Sequence, residues 1–458
     1  MSLLNAMRTK DSLTNNGAVT NSTSLNFCLD MFFLAGASRN MSEEDIILVF
    51  ERAFGQNPLT TIRVLFWARD ARGGAGEKRF FQIILSHIQK TYPDVFTKIY
   101  PLVYEYGYFK DLFKMRPTQE LLNYFAWALS HHPQRNLLAK YFPRKGKWFN
   151  SFRIHQEEKP KTLRKFLVEM TKVVETQMCN NEWDAIEYSK VPSVAMRTYA
   201  KSFGKHDYPR FSQYIQDVLK GDKKINASVL FPNQLYRAYL MNESEDQVQA
   251  QWNALPDYLT KSENHRILPI CDVSGSMSGL PMEVSVSLGV YISEKNRGIF
   301  KDAFVTFSKD PKIQILQGNL YQRFRQLDTA EWGMNTDLNA VFSLILDSAV
   351  RENLPENEMP TSLLIISDME FDSCGKLSNL DSLREMYSRA GYKLPSVVFW
   401  NVNGRLNNVP ATMNDKGVAL VSGFSPSILT SVLDGTVTDP VSMMLKVINS
   451  PRYEQVEL

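Results

Sequence analysis

Residues 267–280 read Ile267-Leu268-Pro269-Ile270-Cys271-Asp272-Val273-Ser274-Gly275-Ser276-Met277-Ser278-Gly279-Leu280. A short apolar run ends in Asp272-x-Ser274-x-Ser276, and Gly275 and Gly279 let the backbone turn before a helical pattern begins. The pattern predicts a buried strand that delivers oxygen side chains to its C-terminal tip. One carboxylate and two hydroxyls at alternate positions suit a hard divalent cation, Mg²⁺ first, with Mn²⁺ or Ca²⁺ as alternatives, because such ions prefer oxygen ligands.

Asp, Ser and Gly also build ordinary turns, so this stretch decides nothing alone. Two later stretches complete it. Gly333-Met-Asn-Thr-Asp337 precedes the apolar helix pattern 338–350 and offers Thr336, and Leu363-Leu-Ile-Ile-Ser-Asp368 reads as a second buried strand ending in a carboxylate. The series Asp272, Ser274, Ser276, Thr336, Asp368 resembles the metal-ion-dependent adhesion site of von Willebrand factor A domains. That resemblance implies that Ser274, Ser276 and Thr336 reach the cation directly or nearly so, while Asp272 and Asp368 act largely through water. A carboxylate from a partner protein would then replace a water on the ion. Asp337 is expected as a helix N-cap, Glu370 as a solvated loop residue and His265 as a surface residue, none of them a ligand.

From Arg266 onward strands alternate with helices of ten or more residues. That alternation predicts an α/β doubly wound, mostly parallel sheet with ligands beyond its strand C-termini at a topological switch point. Before residue 260 strand signals are almost absent and short helical patterns follow one another, as in an all-α HEAT-like repeat array, although no strict period appears. At 458 residues the chain exceeds one ordinary core. The expected division is a polar N-terminal arm, 1–25, a helical domain, 26–260, and the cation-binding domain, 262–458.

The net charge of +3 hides an asymmetry, because residues from Ser262 onward carry −6 and the rest +9. Nine cations lie between Lys140 and Lys165, with Trp148 and other aromatics interleaved. Cation plus aromatic neutralises phosphates and stacks unpaired bases, which makes Arg144, Lys145, Lys147, Trp148, Arg164 and Lys165 candidate RNA contacts. Arg197, Lys201, Lys205 and His206, in a second cluster, are further candidates. A solvated face over core aromatics is the alternative for each cluster. The glycine-rich stretch Arg69 to Arg79 lacks the preceding strand and the Gly-Lys-Ser/Thr ending of a phosphate loop, so a turn between helices is expected there. Arg69, Arg72, Lys78 and Arg79 remain candidates for touching an RNA backbone.

Four stretches, Ser22-Thr-Ser-Leu-Asn26, Ala68 to Gly76, Tyr106-Gly-Tyr-Phe-Lys-Asp111 and Lys190-Val-Pro-Ser-Val-Ala195, resemble a family catalogued as a domain of unknown function. Its members pair a helical half with a C-terminal von Willebrand A domain. The architecture is similar to TROVE-domain proteins of the Ro autoantigen kind, and this implies binding of small structured or single-stranded RNA.

Widely scattered cysteines, no signal-peptide core and no apolar run of membrane-spanning length lead to the expectation of a reduced, cytoplasmic protein without a membrane partner. A serine hydrolase is disfavoured, because the serines lack Gly-x-Ser-x-Gly spacing and no histidine follows His265. A metal-dependent nuclease needs several direct carboxylates and a base, so no enzyme is expected. Two binding functions stand: an RNA-binding protein whose cation site recruits a protein, and a protein-only scaffold that uses the cation site for assembly.

Overall fold

The computed structural model describes residues 10–225, 227, 229–259, 266–307, 311–328, 336–374, 378–432 and 437–458. His265 and Gly333 to Asn335, singled out above, lie outside the described residues. The chain divides into two compact units, one of residues 1–80 and 230–455, the other of 81–229 with 456–458. Residues 26–80 thus belong to the same compact unit as the C-terminal region.

The first unit is built on a six-stranded sheet in the order β5-β4-β3-β6-β7-β8. Its strands are β3 (Ile267–Cys271), β4 (Ala303–Thr306), β5 (Ile313–Ile315), β6 (Ser362–Ser367), β7 (Ser396–Asn401) and β8 (Val418–Ser422). All neighbours run parallel except β4 and β5, so the expected mostly parallel sheet is observed with one antiparallel edge. β3, β6 and β8 are buried at every residue, which explains their continuous apolar runs. From β3 the chain moves outward to β4 and β5, then returns to the other side of β3 as β6. The switch point therefore lies between β3 and β6, whose C-terminal ends carry Asp272 and Asp368.

Upstream, α1 (Phe27–Ala35) is apolar nearly all round, with seven of its nine residues buried. Such a helix needs cover on every side. It has it from α2 (Glu43–Gln56), α3 (Pro58–Arg69) and β8. Its docking is polar at one end, where Ser422 Oγ donates to Phe32 O at 2.7 Å and accepts from Gly36 N at 2.9 Å. Gly36 admits no side chain, since a Cβ there would stand 2.5 Å from Ser422 O.

The glycine-rich stretch is a turn, as expected, and it is folded back on α3. Ala75 N and Glu77 N bond to Trp67 O and Ala68 O, at 3.1 and 2.7 Å. A Cβ on Gly74 would lie 2.0 Å from Trp67 O, which explains the glycine. At its centre the fully buried Asp70 accepts from Arg72 N, Arg452 and Tyr453 Oη.

Residues 10–25 are not a free arm. β1 (Ser12–Leu13) and β2 (Val19–Thr20) form an antiparallel pair, and Thr14, Thr20, Asn21 and Ser24 are buried. Bridges join Gly17 to Asp372, Val19 to Ser378 and Asn21 to Val409.

The second unit is helical, with successive short helices from Pro93–Ile99 to Tyr208–Lys220. Residues 93–106 form three successive helical pieces, 93–99, 100–102 and 103–106, where Pro101 interrupts the ladder. Among the described residues of the chain, no helix is long and apolar enough to cross a membrane.

Candidate functional site

Because β3 and β6 pair in register, with Cys271 opposite Ile366, the next residue of each strand emerges side by side. Asp272 Oδ2 accepts from Ser367 Oγ at 2.6 Å, and its Oδ1 accepts from Ser274 N at 2.9 Å. Ser274 Oγ and Ser276 Oγ are 3.1 Å apart, and Ser276 lies near enough to Asp368 to favour its ionised form. Four of the five expected ligands are thus brought together. Thr336 is fixed separately by Asp372, which accepts from Thr336 N at 3.0 Å and donates its own N–H to Thr336 O at 3.1 Å.

Burial and the neighbouring Asp368 carboxylate push the Asp272 carboxyl up to about 6, and burial likewise raises Asp368. Two buried oxygens of the set, Thr336 Oγ1 and Asp368 Oδ2, have no hydrogen-bond partner among the described residues. Buried polar atoms are rarely left so. The residues therefore fit a divalent cation: two carboxylates and three hydroxyls, with orphaned oxygens on two members. Among the described residues no group of three or more His, Cys, Asp and Glu is arranged to hold a metal ion by itself, so the fit rests on the hydroxyls together with the carboxylates.

Thr336 makes the fit testable. Valine has threonine's shape without the hydroxyl, so Thr336→Val should stabilise the cation-free protein by about 1–2 kcal/mol. Added Mg²⁺ should then no longer raise its melting temperature. A melting curve with and without Mg²⁺ checks both parts.

Sequence reading missed several neighbours. Glu370 is not a solvated loop residue but is 3% exposed. It accepts from Asn15 N at 2.6 Å and Asn408 Nδ2 at 3.2 Å, and Arg405 Nη1 approaches it at 3.4 Å. Arg405 Nη2 also lies 4.0 Å from Asp368 Oδ2. Met369, between the two acids, adopts φ +66°, a left-handed conformation costly for such a side chain. Alternation in Asp368-x-Glu370-x-Asp372 was the available signal; nothing in sequence links Arg405 or Asn15 to it. Asp337 is the helix N-cap expected, accepting from Ala340 N at 3.0 Å.

The family described as Domain of unknown function (DUF2828) matches residues 14–118 and 124–264. The chain belongs to that family. A second family of unknown function, DUF7788, matches residues 266–455 of this DUF2828 protein. An uncharacterized protein of Acanthamoeba polyphaga mimivirus is 28% identical over 499 residues, covering 95% of this chain and 87% of that protein. The crystal structure of the Deinococcus radiodurans RO (RSR) protein aligns with a TM-score of 0.38 at 13% identity, over 97% of this chain and 99% of that one.

In the helical unit of the DUF2828 protein the basic clusters are partly exposed and partly structural. Residues 81–229 contain 24 Lys and Arg against 14 Asp and Glu, net +10, leaving −7 for the remainder of the chain. Lys145, Lys147 and Lys165 are exposed. Arg164 is exposed too, lies over the Phe149 ring at 4.9 Å and donates to Arg144 O at 3.2 Å. Arg144 itself turns inward to Phe142 O, at 2.7 Å. Trp148 is a core residue instead of a base-stacking one: it is 6% exposed, donates to Met115 O at 3.1 Å and packs edge-on to Phe113 and Phe125. Arg69, 2% exposed, is likewise no surface contact. Arg197, Lys201 and Lys205 follow one another at four-residue spacing on the helix Ser193–His206, forming one stripe. At its end His206 stacks on Trp183 at 4.4 Å and 5°.

Proposed function

We propose that this chain is a binding protein, not an enzyme, whose helical unit takes RNA and whose sheet unit uses a divalent cation to hold a protein partner. The C-terminal region is read as a von Willebrand factor A domain, and the consecutive helices of 81–229 as irregular HEAT-like repeats. The observation that carries the cation half is that two buried oxygens of the set, Thr336 Oγ1 and Asp368 Oδ2, have no hydrogen-bond partner among the described residues, while Asp272 and Asp368 are both buried carboxylates. Asp272, Ser274, Ser276, Thr336 and Asp368 would hold Mg²⁺, with Mn²⁺ or Ca²⁺ as alternatives. A bound cation supplies an open coordination position for an acidic side chain. The chain's own residues do the positioning: Ser367 and the Ser274 N–H fix Asp272, and Asp372 fixes Thr336.

The RNA half rests on charge, which is more concentrated than the sequence halves suggested: residues 81–229 carry +10. Exposed lysines and arginines there suit phosphates, whose binding releases counterions. Binding of a labelled small structured RNA, measured across a salt series, tests this. Replacing Lys145, Lys147, Arg164 and Lys165 by glutamine should weaken binding and flatten the slope of log affinity on log salt by about 0.7 to 0.9 for each phosphate no longer neutralised. Retention of affinity and slope by that variant, or no RNA binding by the wild type at low salt, would leave a protein-only scaffold.

A further inference from the structure

Three carboxylates crowd the C-terminal ends of β3 and β6, all nearly inaccessible: Asp272 at 0%, Asp368 at 1% and Glu370 at 3% exposure. Arg405 is the cation that approaches two of them, its Nη1 3.4 Å from Glu370 Oε1 and its Nη2 4.0 Å from Asp368 Oδ2. It comes from the loop after β7 and is 39% exposed, so the guanidinium reaches in from the rim. The two approaches differ in kind. Glu370 is anchored at Oε2 by the N–H of Asn15 in the β1–β2 connection and at Oε1, the oxygen Arg405 approaches, by Asn408 Nδ2, whereas among the described residues Asp368 Oδ2 has no hydrogen bond. Arg405 is therefore held at Glu370 and leans toward Asp368 without bonding it.

We infer that Arg405 is a built-in counter-cation that shares Asp368 with the divalent ion and is displaced from it when the ion binds. This rests on the reading of Asp272 and Asp368 as cation ligands. Charge balance gives the reason. With Arg405 in place the three carboxylates keep a net charge of about −2, which a divalent ion would neutralise. Guanidinium and metal then compete for the same carboxylate, and their mutual repulsion lowers the affinity of the site. Weak cation affinity makes occupancy responsive to cation concentration instead of permanent.

The test is titration of the full chain with Mn²⁺, read by the paramagnetic resonance of the free ion. Arg405→Gln should bind Mn²⁺ roughly tenfold more tightly than wild type, and Arg405→Lys, which keeps the charge, should stay near wild type. On the wild type itself, saturating Mn²⁺ should speed phenylglyoxal modification of Arg405, followed by peptide mass spectrometry. Equal or weaker binding by Arg405→Gln, with Asp272→Asn abolishing it, would overturn the counter-cation role and leave the metal site standing. An unchanged rate of Arg405 modification would count against it in the same way. Absence of Mn²⁺ binding from both wild type and Arg405→Gln would overturn the metal site itself.

Discussion

Replacing Arg452 by alanine should destabilise the sheet unit by about 3 kcal/mol, the range for removing one partner of a buried ion pair. Asp70 is wholly inaccessible, and Arg452 supplies its charge partner through both Nε and Nη2, the latter at 2.7 Å. Loss of the guanidinium leaves a buried carboxylate with, among the described residues, the Arg72 N–H, at 3.0 Å, and the Tyr453 hydroxyl, at 3.0 Å. The converse change, Asp70→Asn, should cost less, because Arg452 is 37% exposed and can turn to water. Combining Asp70→Asn with Arg452→Met removes both charges and should recover part of the loss. Urea denaturation of the three variants checks the order, and equal stability of Arg452→Ala and wild type would reduce the pair to decoration.

Asp272→Asn should lower divalent cation affinity by at least about a hundredfold, since even outer partners of a metal are worth ten- to a hundredfold. It should also change the sign of a stability comparison. Without a cation the ionised Asp272 is repelled by Asp368 and penalised by burial, so the variant should melt above wild type. With Mg²⁺ at a hundred times its dissociation constant the wild type should gain about 2.7 kcal/mol and overtake it. Crossing melting curves, wild type rising with Mg²⁺ and Asp272→Asn indifferent to it, are the expected outcome. Parallel curves would mean that these carboxylates hold no ion.

The sheet was legible because both of its central strands announce themselves twice, as apolar runs and as runs ending in an acid. Ile267–Cys271 and Ser362–Ser367 fall on the two apolar stretches that the sequence marks as strands. The juxtaposition of four of the five candidate ligands followed from that register, because pairing of β3 with β6 brings their tips together. Arg405 and the β1–β2 pair were not legible, since Arg405 meets acids 35 and 37 positions away and the β1–β2 connection meets Glu370 355 positions away, contacts that no local pattern encodes. Trp148 illustrates the opposite error. An aromatic among lysines has the composition of a base-stacking surface, but helical periodicity turned it inward with Phe149 and Phe152 while the lysines faced water. Composition alone could not tell these faces apart.

The clasp between Asp70 and Arg452 also sets a schedule for synthesis. The two residues are 382 positions apart, which at ~5–20 residues per second is roughly 20 to 75 s of translation. For most of that interval, until residue 422 has been added, the apolar α1 has been made but β8, against which it packs, has not. A nascent chain in this state should be a client for holdase chaperones, and ribosome-bound intermediates ending before residue 418 should be cut by protease within residues 27–69.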